Sequence, residues 1–335
     1  MSDASGEVVK LLRTLVSLKS PSGREEKVRE FIIDYLKKAG YSIEVDEVGN
    51  VVVDCGGKLW VTAHMDTVDL DFPFRYENGV CYGTGVADDK ASLAAMLLAS
   101  KELENKNLNF AFFVDEEETG LGSQHFAETR RPGIAVVMEP TELKICKEHW
   151  GVLEVLVSVF GKASHASMPE CGVNAIERAI EVVERLRKFE GDARFNLLSL
   201  HSYPENVYSV PDRCDVKFEY LIPHGVKLPV LQILEICEEY GGVEVLELAN
   251  PFVSEEVTEL LVEAVKLSGI EAESSHMPSW TDAVNLKEAG WDVVVFGPGS
   301  LSSSHTALEY VSVEEVVKAV EVLKNLSRVI TSRKN

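Results

Sequence analysis

Over residues 7–39 apolar side chains recur at helical spacing, Val8, Leu11, Leu12 and Leu15 and then Val28, Phe31, Ile32, Tyr35 and Leu36, with Pro21-Ser-Gly23 between the two sets. A stripe repeating every three to four residues predicts two amphipathic helices, and the proline and glycine predict the break. The texture then turns to short apolar runs at 51–53, 59–63, 110–114 and 134–138, with an Ala- and Leu-rich stretch at 91–103 between the second and third. Runs without polar alternation predict strands buried on both faces, and the intervening helix makes this an α/β domain with a mainly parallel sheet. After about Trp150 alternation takes over: Val152-Leu-Glu-Val-Leu-Val-Ser-Val and Asp215-Val-Lys-Phe-Glu-Tyr-Leu-Ile flank a helical pattern at 173–188. Strands with one wet face predict a second, smaller α+β domain. Helical spacing returns at 254–267, followed by an apolar run at 291–296 and a closing helix at 313–326. These last elements match the first sheet in texture. The second domain therefore reads as an insertion, residues 150–251, into a main domain of 1–149 and 252–335.

A chain of 335 residues exceeds what one core usually organises, which agrees with two domains. Its 45% hydrophobic and 26% charged residues are those of a folded globular protein rather than a disordered one. Fifty-five acidic against 33 basic residues give a formal charge of -22, which repels nucleic acid and anionic lipid as partners. The cysteines at 55, 81, 146, 171, 214 and 237 contain no C-x-x-C pair and read as reduced thiols. Residues 1–7 lack a basic region followed by an apolar one, and no run of about 18 apolar residues occurs, so the expected location is the cytoplasm.

Open α/β sheets bind ligands at the carboxyl ends of their strands, so the residues standing there carry the most information. After 59–63 comes His64-Met-Asp66; after 110–114 come Asp115-Glu116-Glu117-Glu118; after 134–138 comes Glu139-Pro-Thr; and the 293–296 run leads through Gly297-Pro-Gly299 to His305. A single His or Glu at a strand end is commonly a satisfied or solvated group. Four successive strand ends bearing imidazole or carboxylate point to one site. The segment Gly83-Thr-Gly-Val-Ala-Asp88-Asp89-Lys90 has Asp88 where a dinucleotide loop carries its third glycine, and a carboxylate there repels pyrophosphate. As the start of the 91–103 helix, Asp88 reads either as an N-cap or as a cation ligand. Ser302-Ser-Ser-His305 has no G-x-S-x-G elbow, so a serine nucleophile is set aside.

In this order, His64-Met-Asp66, Gly83 to Lys90, Asp115-Glu116-Glu117, Glu139-Pro140-Thr141, Gly161-Lys-Ala-Ser-His165 with Pro169 and Gly172-Val-Asn174-Ala, and His305 resemble the M20 metallopeptidase family across nearly the whole chain. That family includes acetylornithine and succinyl-diaminopimelate deacylases, aminoacylases, tripeptidases and glutamate carboxypeptidases. The resemblance implies a zinc-peptidase-like catalytic domain with an inserted ferredoxin-like lid or dimerisation domain. It implies two zinc ions, with cobalt or manganese as substitutes, bridged by Asp88. His64 and Glu139 would complete one site and Glu117 and His305 the other, with Asp66 behind His64 and Glu116 as general base. His165 of a homodimer partner would polarise the scissile carbonyl, and Asn206 of the lid would contact substrate. Where the family carries Asp-x-Arg on a lid strand this chain has Glu219-Tyr220-Leu221, so Arg213 is the candidate for a substrate carboxylate. The expected activity is cleavage of an N-acyl amino acid of the ornithine, lysine or diaminopimelate kind. The alternatives are a small-peptide exopeptidase, a hydrolase of lysine or ornithine carried on a carrier protein, and a non-catalytic metal-binding assembly module.

Overall fold

The computed structural model describes residues 3–205 and 207–333. The chain forms two compact units. The first runs up to Lys147, resumes over Ser254–Met277 and again from Thr281; the second comprises Glu148–Val253 with Pro278–Trp280. That last tripeptide has no signature in the sequence pattern.

In the first unit the strands lie in the order Glu44–Val45, Val51–Val53, Asn109–Phe113, Leu59–His64, Ile134–Val137 and Asp292–Val295, followed by Ile145–His149, along which the chain leaves the unit. The four from Asn109–Phe113 to Asp292–Val295 run parallel, with Thr62 in register with Ala111 and Val137, and Val293 with Ala135. Their carboxyl ends therefore share one edge. Every residue of Leu59–His64 and Asn109–Phe113 is buried, as unbroken apolar runs require. The helix Lys90–Glu102 is buried on all sides from Lys90 to Ser100 and packs against Asp3–Ser17 and Val313–Arg333, which makes it an interior helix rather than an amphipathic one.

Three details differ from the sequence reading. Asp88 is not the cap of this helix: Asp89 flanks Lys90, and its side chain makes no capping hydrogen bond. The closing helix continues past 326 to Arg333. A small antiparallel sheet of Arg75–Glu77, Val80–Tyr82 and Tyr310–Ser312 was not anticipated. Its hairpin turns at Asn78 and Gly79, both left-handed with φ of 49° and 86°, the pairing a tight two-residue turn demands.

The second unit is a four-stranded antiparallel sheet ordered Arg194–Tyr203, Arg213–Ile222, Gly151–Phe160, Gly241–Ala249. With helices Ala175–Leu186 and Val230–Glu238 the chain order is strand, helix, strand, strand, helix, strand, the ferredoxin-like arrangement. Along Arg213–Ile222 burial alternates strictly, placing Cys214, Val216, Phe218, Tyr220 and Ile222 inward. These join Leu153, Val155, Val157 and the helix residues Ala179, Val182 and Leu186 in a core of their own. Among the described residues no helix is long and apolar enough to cross a membrane.

Candidate metal centre

The parallel edge of the first unit collects the chemistry. The central strand Leu59–His64 ends on His64, which is fully buried. Its Nδ1 lies 3.1 Å from the main-chain oxygen of Asp66 and 3.4 Å from that residue's Oδ1, while Nε2 lies 3.0 Å from Asp88 Oδ1. A carbonyl only accepts, so Nδ1 carries a proton. In the neutral ring Nε2 then directs a lone pair at a carboxylate, an arrangement that calls for a cation or a second proton. The other oxygen of Asp88, Oδ2, lies 3.5 Å from His305 Nε2, and that nitrogen lies 2.9 Å from Glu117 Oε2. One carboxylate thus faces two imidazoles, one with each oxygen. His305 holds a left-handed backbone with φ of 60°, an uncommon state for a side-chain-bearing residue and frequent where function fixes a geometry.

Asp66 does more than orient His64. It is buried and accepts the N–H groups of Glu116 at 3.1 Å and Glu117 at 3.0 Å, and the Ser22 hydroxyl at 2.8 Å. Glu25, also buried, accepts the N–H of Asp115 at 3.2 Å, the residue whose φ of 58° turns the chain off the Asn109–Phe113 strand. These bonds set which members of the glutamate run face inward. The side chains of Glu116 and Glu117 are 10% and 7% exposed, whereas Glu118 is exposed to solvent. Glu116 Oε2 stands 4.0 Å from His64 Nε2. Glu139, at the end of the neighbouring Ile134–Val137 strand, is buried, and its Oε1 has no hydrogen-bond partner.

Burial raises the carboxyls of Glu116 and Glu139 well above the ordinary range, and neighbouring carboxylates add to it, Glu117 for the first and Glu116 and Asp88 for the second. Burial also raises Asp282 to about 7. For Asp66 burial acts upward too, but the His64 imidazole, the Glu117 N–H and the Ser22 hydroxyl outweigh it and bring the carboxyl down to about 2. Burial opposes the His64 imidazolium, yet Glu116, Asp66 and Asp88 outweigh it and hold the group well above its usual value. Contact with Asp88 and Glu117 raises His305 to about 10. The site is a pocket of crowded negative charge.

A divalent cation fits this donor set. The ligand atoms of His64, Asp88 and Glu117 lie within 4.8 Å of one another, and imidazole nitrogen with carboxylate oxygen are donors that zinc, cobalt and manganese accept. The unpartnered Oε1 of Glu139 and the excess of buried carboxylate are the features a bound cation relieves.

The other expected residues lie on the second unit. His165 is exposed on the two-residue strand Ser164–His165, with Nδ1 accepting the Ser167 N–H at 3.2 Å and its ring edge-on to Tyr208 at 5.6 Å. Arg213, expected to anchor a substrate carboxylate, instead holds Asp215 through Nε at 2.9 Å and an Nη at 2.7 Å, because the two side chains share one face of their strand. Asn206 lies outside the described residues. Leu221 pairs across the sheet with Arg194. Sequence reasoning passed over Asp282, which looks like an ordinary helix start before Ala283–Glu288, and Glu309, four residues after His305. Only proximity in space singles them out.

Residues 60–328 match the Peptidase family M20/M25/M40. A protein of Pyrococcus furiosus bearing the name LysW-lysine/LysW-ornithine hydrolase is 28% identical over 95% of this chain and 96% of its own length. An acetylornithine deacetylase of Vibrio atlanticus is 28% identical over 90% of this chain and 91% of its own. Among solved structures, a tripeptidase from Staphylococcus aureus superposes with a TM-score of 0.83 at 22% identity, covering 98% of this chain and 99% of its own, which speaks to the fold.

Proposed function

Because the chain belongs to the Peptidase family M20/M25/M40, we propose that it hydrolyses the amide bond of an N-acyl amino acid of the ornithine, lysine or diaminopimelate kind at a pair of divalent cations. The observation that carries this reading is Asp88, one buried carboxylate with His64 at 3.0 Å from one oxygen and His305 at 3.5 Å from the other. In this assignment Asp88 is shared, His64 and Glu139 hold one ion, and Glu117 and His305 hold the second. Zinc is the assigned metal, with cobalt or manganese as substitutes. When bound, the ions supply Lewis-acid polarisation and lower the pKa of water.

The residues of the chain do the rest. Glu116 takes a proton from the attacking water as its oxygen bonds to the carbonyl carbon, and returns that proton to the amine nitrogen as the carbon–nitrogen bond breaks. Asp66 keeps Glu116 and Glu117 at their places through their N–H groups. The second unit is assigned to pairing two copies, with His165 of the partner subunit polarising the substrate carbonyl. Six free thiols suit a reducing, cytoplasmic setting. The relatives named for ornithine and lysine compounds support the substrate class.

Purified, unchelated protein is expected to hold about two divalent ions per chain. It should turn over members of a panel of N-acyl-ornithine, N-acyl-lysine and short peptides. Asp88→Ala is expected to lose both ions together, since it removes the shared donor. Elemental analysis finding no bound metal after reconstitution with zinc, cobalt and manganese would end this reading.

A further inference from the structure

Glu309 is 2% exposed, and its carboxylate meets three main-chain donors of one loop: Oε2 accepts the Gly85 N–H at 2.9 Å, and Oε1 accepts those of Ala87 at 2.9 Å and Asp88 at 3.1 Å. The main chain adds to this grip, with the Gly83 N–H directed at the Glu309 carbonyl at 3.4 Å. On its other side Glu309 is tied to the segment that bears His305, its own N–H donating to Thr306 O at 3.2 Å. The chain then enters Tyr310–Ser312, which pairs with Val80–Tyr82 immediately before Gly83.

Elsewhere the loop is held by the buried side chains of Val86 and Ala87 and by Thr84, whose N–H donates to Phe72 O at 3.1 Å; Glu309 is the side chain that takes the N–H groups of Gly85, Ala87 and Asp88 themselves. Gly83 and Gly85 have φ of 139° and 69°, and a Cβ at Gly85 would lie 2.3 Å from Thr67 Cγ2, so glycine is required there and brings its conformational freedom with it. The following helix begins without a side-chain cap. A buried carboxylate in surroundings already crowded with negative charge is costly unless its hydrogen bonds hold something in place.

We infer that Glu309 is a positioning residue that clasps the loop carrying Asp88 to the segment carrying His305, and thereby sets how tightly the centre holds its cations. The inference rests on the metal reading above. It explains why an acid is needed: three N–H donors converge on two acceptor oxygens, and an amide of the same size turns one acceptor into a donor facing an N–H. Glu309→Gln therefore keeps the volume and breaks the clasp, whereas Glu309→Ala removes it altogether.

The test strips the full chain with a chelator and titrates it with Co²⁺ alone, following the visible absorption of the bound ion, with thermal melting of the metal-free protein in parallel. Glu309→Gln is expected to weaken cobalt binding by roughly 10–100-fold, the usual consequence of losing a group that holds a ligand in place. At saturating cobalt its kcat should return to within about threefold of the parent protein with KM unchanged, because Glu309 acts through Asp88 and not on substrate. Glu315→Gln is the control: Glu315 accepts a single N–H, from Gly299 at 2.8 Å, and this variant should bind cobalt like the parent. Unchanged binding in Glu309→Gln overturns the inference, even if its metal-free form melts earlier, since that outcome leaves only a structural role. Equal weakening in Glu315→Gln overturns it as well. If the parent protein itself binds no cobalt, the metal reading falls and the clasp with it; normal binding by the parent and by Glu309→Gln removes the clasp alone.

Discussion

The two units treat charge in opposite ways. In the first, Asp66, Asp88, Asp89, Lys90, Glu139 and Glu309 are all buried, along with others. In the second, among the described residues, His149 is the one buried side chain of the kinds that carry charge near neutral pH. Its acids and bases meet instead on wet faces, Lys217 with Glu154 at 2.7 Å, Arg213 with Asp215 at 2.7 Å and Arg185 with Glu239 at 2.5 Å. Exposed pairs of that sort contribute about 0–1 kcal/mol each, so the second unit stands on its apolar core. Buried carboxylates facing one another cost several kcal/mol unless a cation or proton relieves them. The first unit thus accepts unfavourable electrostatics at one sheet edge, and the place where stability is given up marks the chemistry.

The sharpest way to break that contrast is to neutralise one carboxylate in each unit. Glu116→Gln is expected to keep its metal and lose roughly 10²–10⁴ in turnover, the worth of a general base. Asp215→Asn, which removes one surface ion pair, should change turnover by less than about threefold. Comparable losses in the two variants would mean that the wet face of the second unit takes part in the reaction and that the division of labour is wrong.

Much of this division is legible in the sequence, for a definite reason. The doubly buried strands read as unbroken apolar runs, and three of them end directly on His64, Asp115 and Glu139, so His64, Glu139 and the Glu116-Glu117 pair after Asp115 stand out by position. The alternation of Arg213–Ile222 gives the second unit's wet and dry faces in the same way. Glu309 and Asp282 were not legible, because each is a lone acid in ordinary surroundings until folding brings the 83–89 loop or His64 beside it. The partner of Arg213 was legible in principle, since Asp215 lies two residues on along a strand and so on the same face. The small sheet at Val80–Tyr82 was signalled by Asn78-Gly79, a turn pair that outweighs the weak periodicity around it.

A second experiment sharpens the contrast through pH. His149 is fully buried with Nδ1 2.7 Å from the Trp150 carbonyl, its ring stacked on Phe252 at 4.8 Å, and burial pushes its pKa down to about 4 from 6.5. Above 6.5 the imidazole is neutral whether the chain is folded or not, and it adds no pH dependence. Between 6.5 and about 4 the unfolded chain takes up a proton that the folded one refuses, so stability falls with falling pH. At about 1.4 kcal/mol per pH unit this amounts to ~3 kcal/mol over the window. Urea unfolding from pH 7 to 4.5 should therefore be less steeply pH-dependent in His149→Gln than in the parent chain, the contributions of the metal-centre carboxylates being common to both. Identical slopes would show that this imidazole is not held neutral, and the second unit would then share the first unit's habit of burying charge.

The smallest expected effect tests whether the second unit takes part in substrate recognition at all. The family pattern places an arginine where this chain has Leu221, and two cations of the same sheet are candidates to replace it, Arg194 across from Leu221 and Arg213 near the other end of its strand. Arg213 is engaged by Asp215 through two charge-assisted hydrogen bonds, and its guanidinium also lies over Tyr203 at 5.1 Å. Binding a substrate carboxylate there means giving up a partner of the same kind, so the exchange gains little. Arg194 is the direct cross-strand neighbour of Leu221, and its guanidinium lies over the Trp150 ring at 4.5 Å, a contact in which no carboxylate has to be displaced by substrate. Arg194→Ala is accordingly expected to raise KM about tenfold for substrates with a free carboxylate and to leave KM unchanged for their methyl esters, the size of one charge-assisted hydrogen bond. Arg213→Ala should shift neither by more than about threefold. The reverse pattern would return the role to Arg213, with Asp215 as a gate that substrate displaces. No change in either variant would mean that the wet face of the second unit does not read the carboxylate, leaving its recognition to the buried edge of the first.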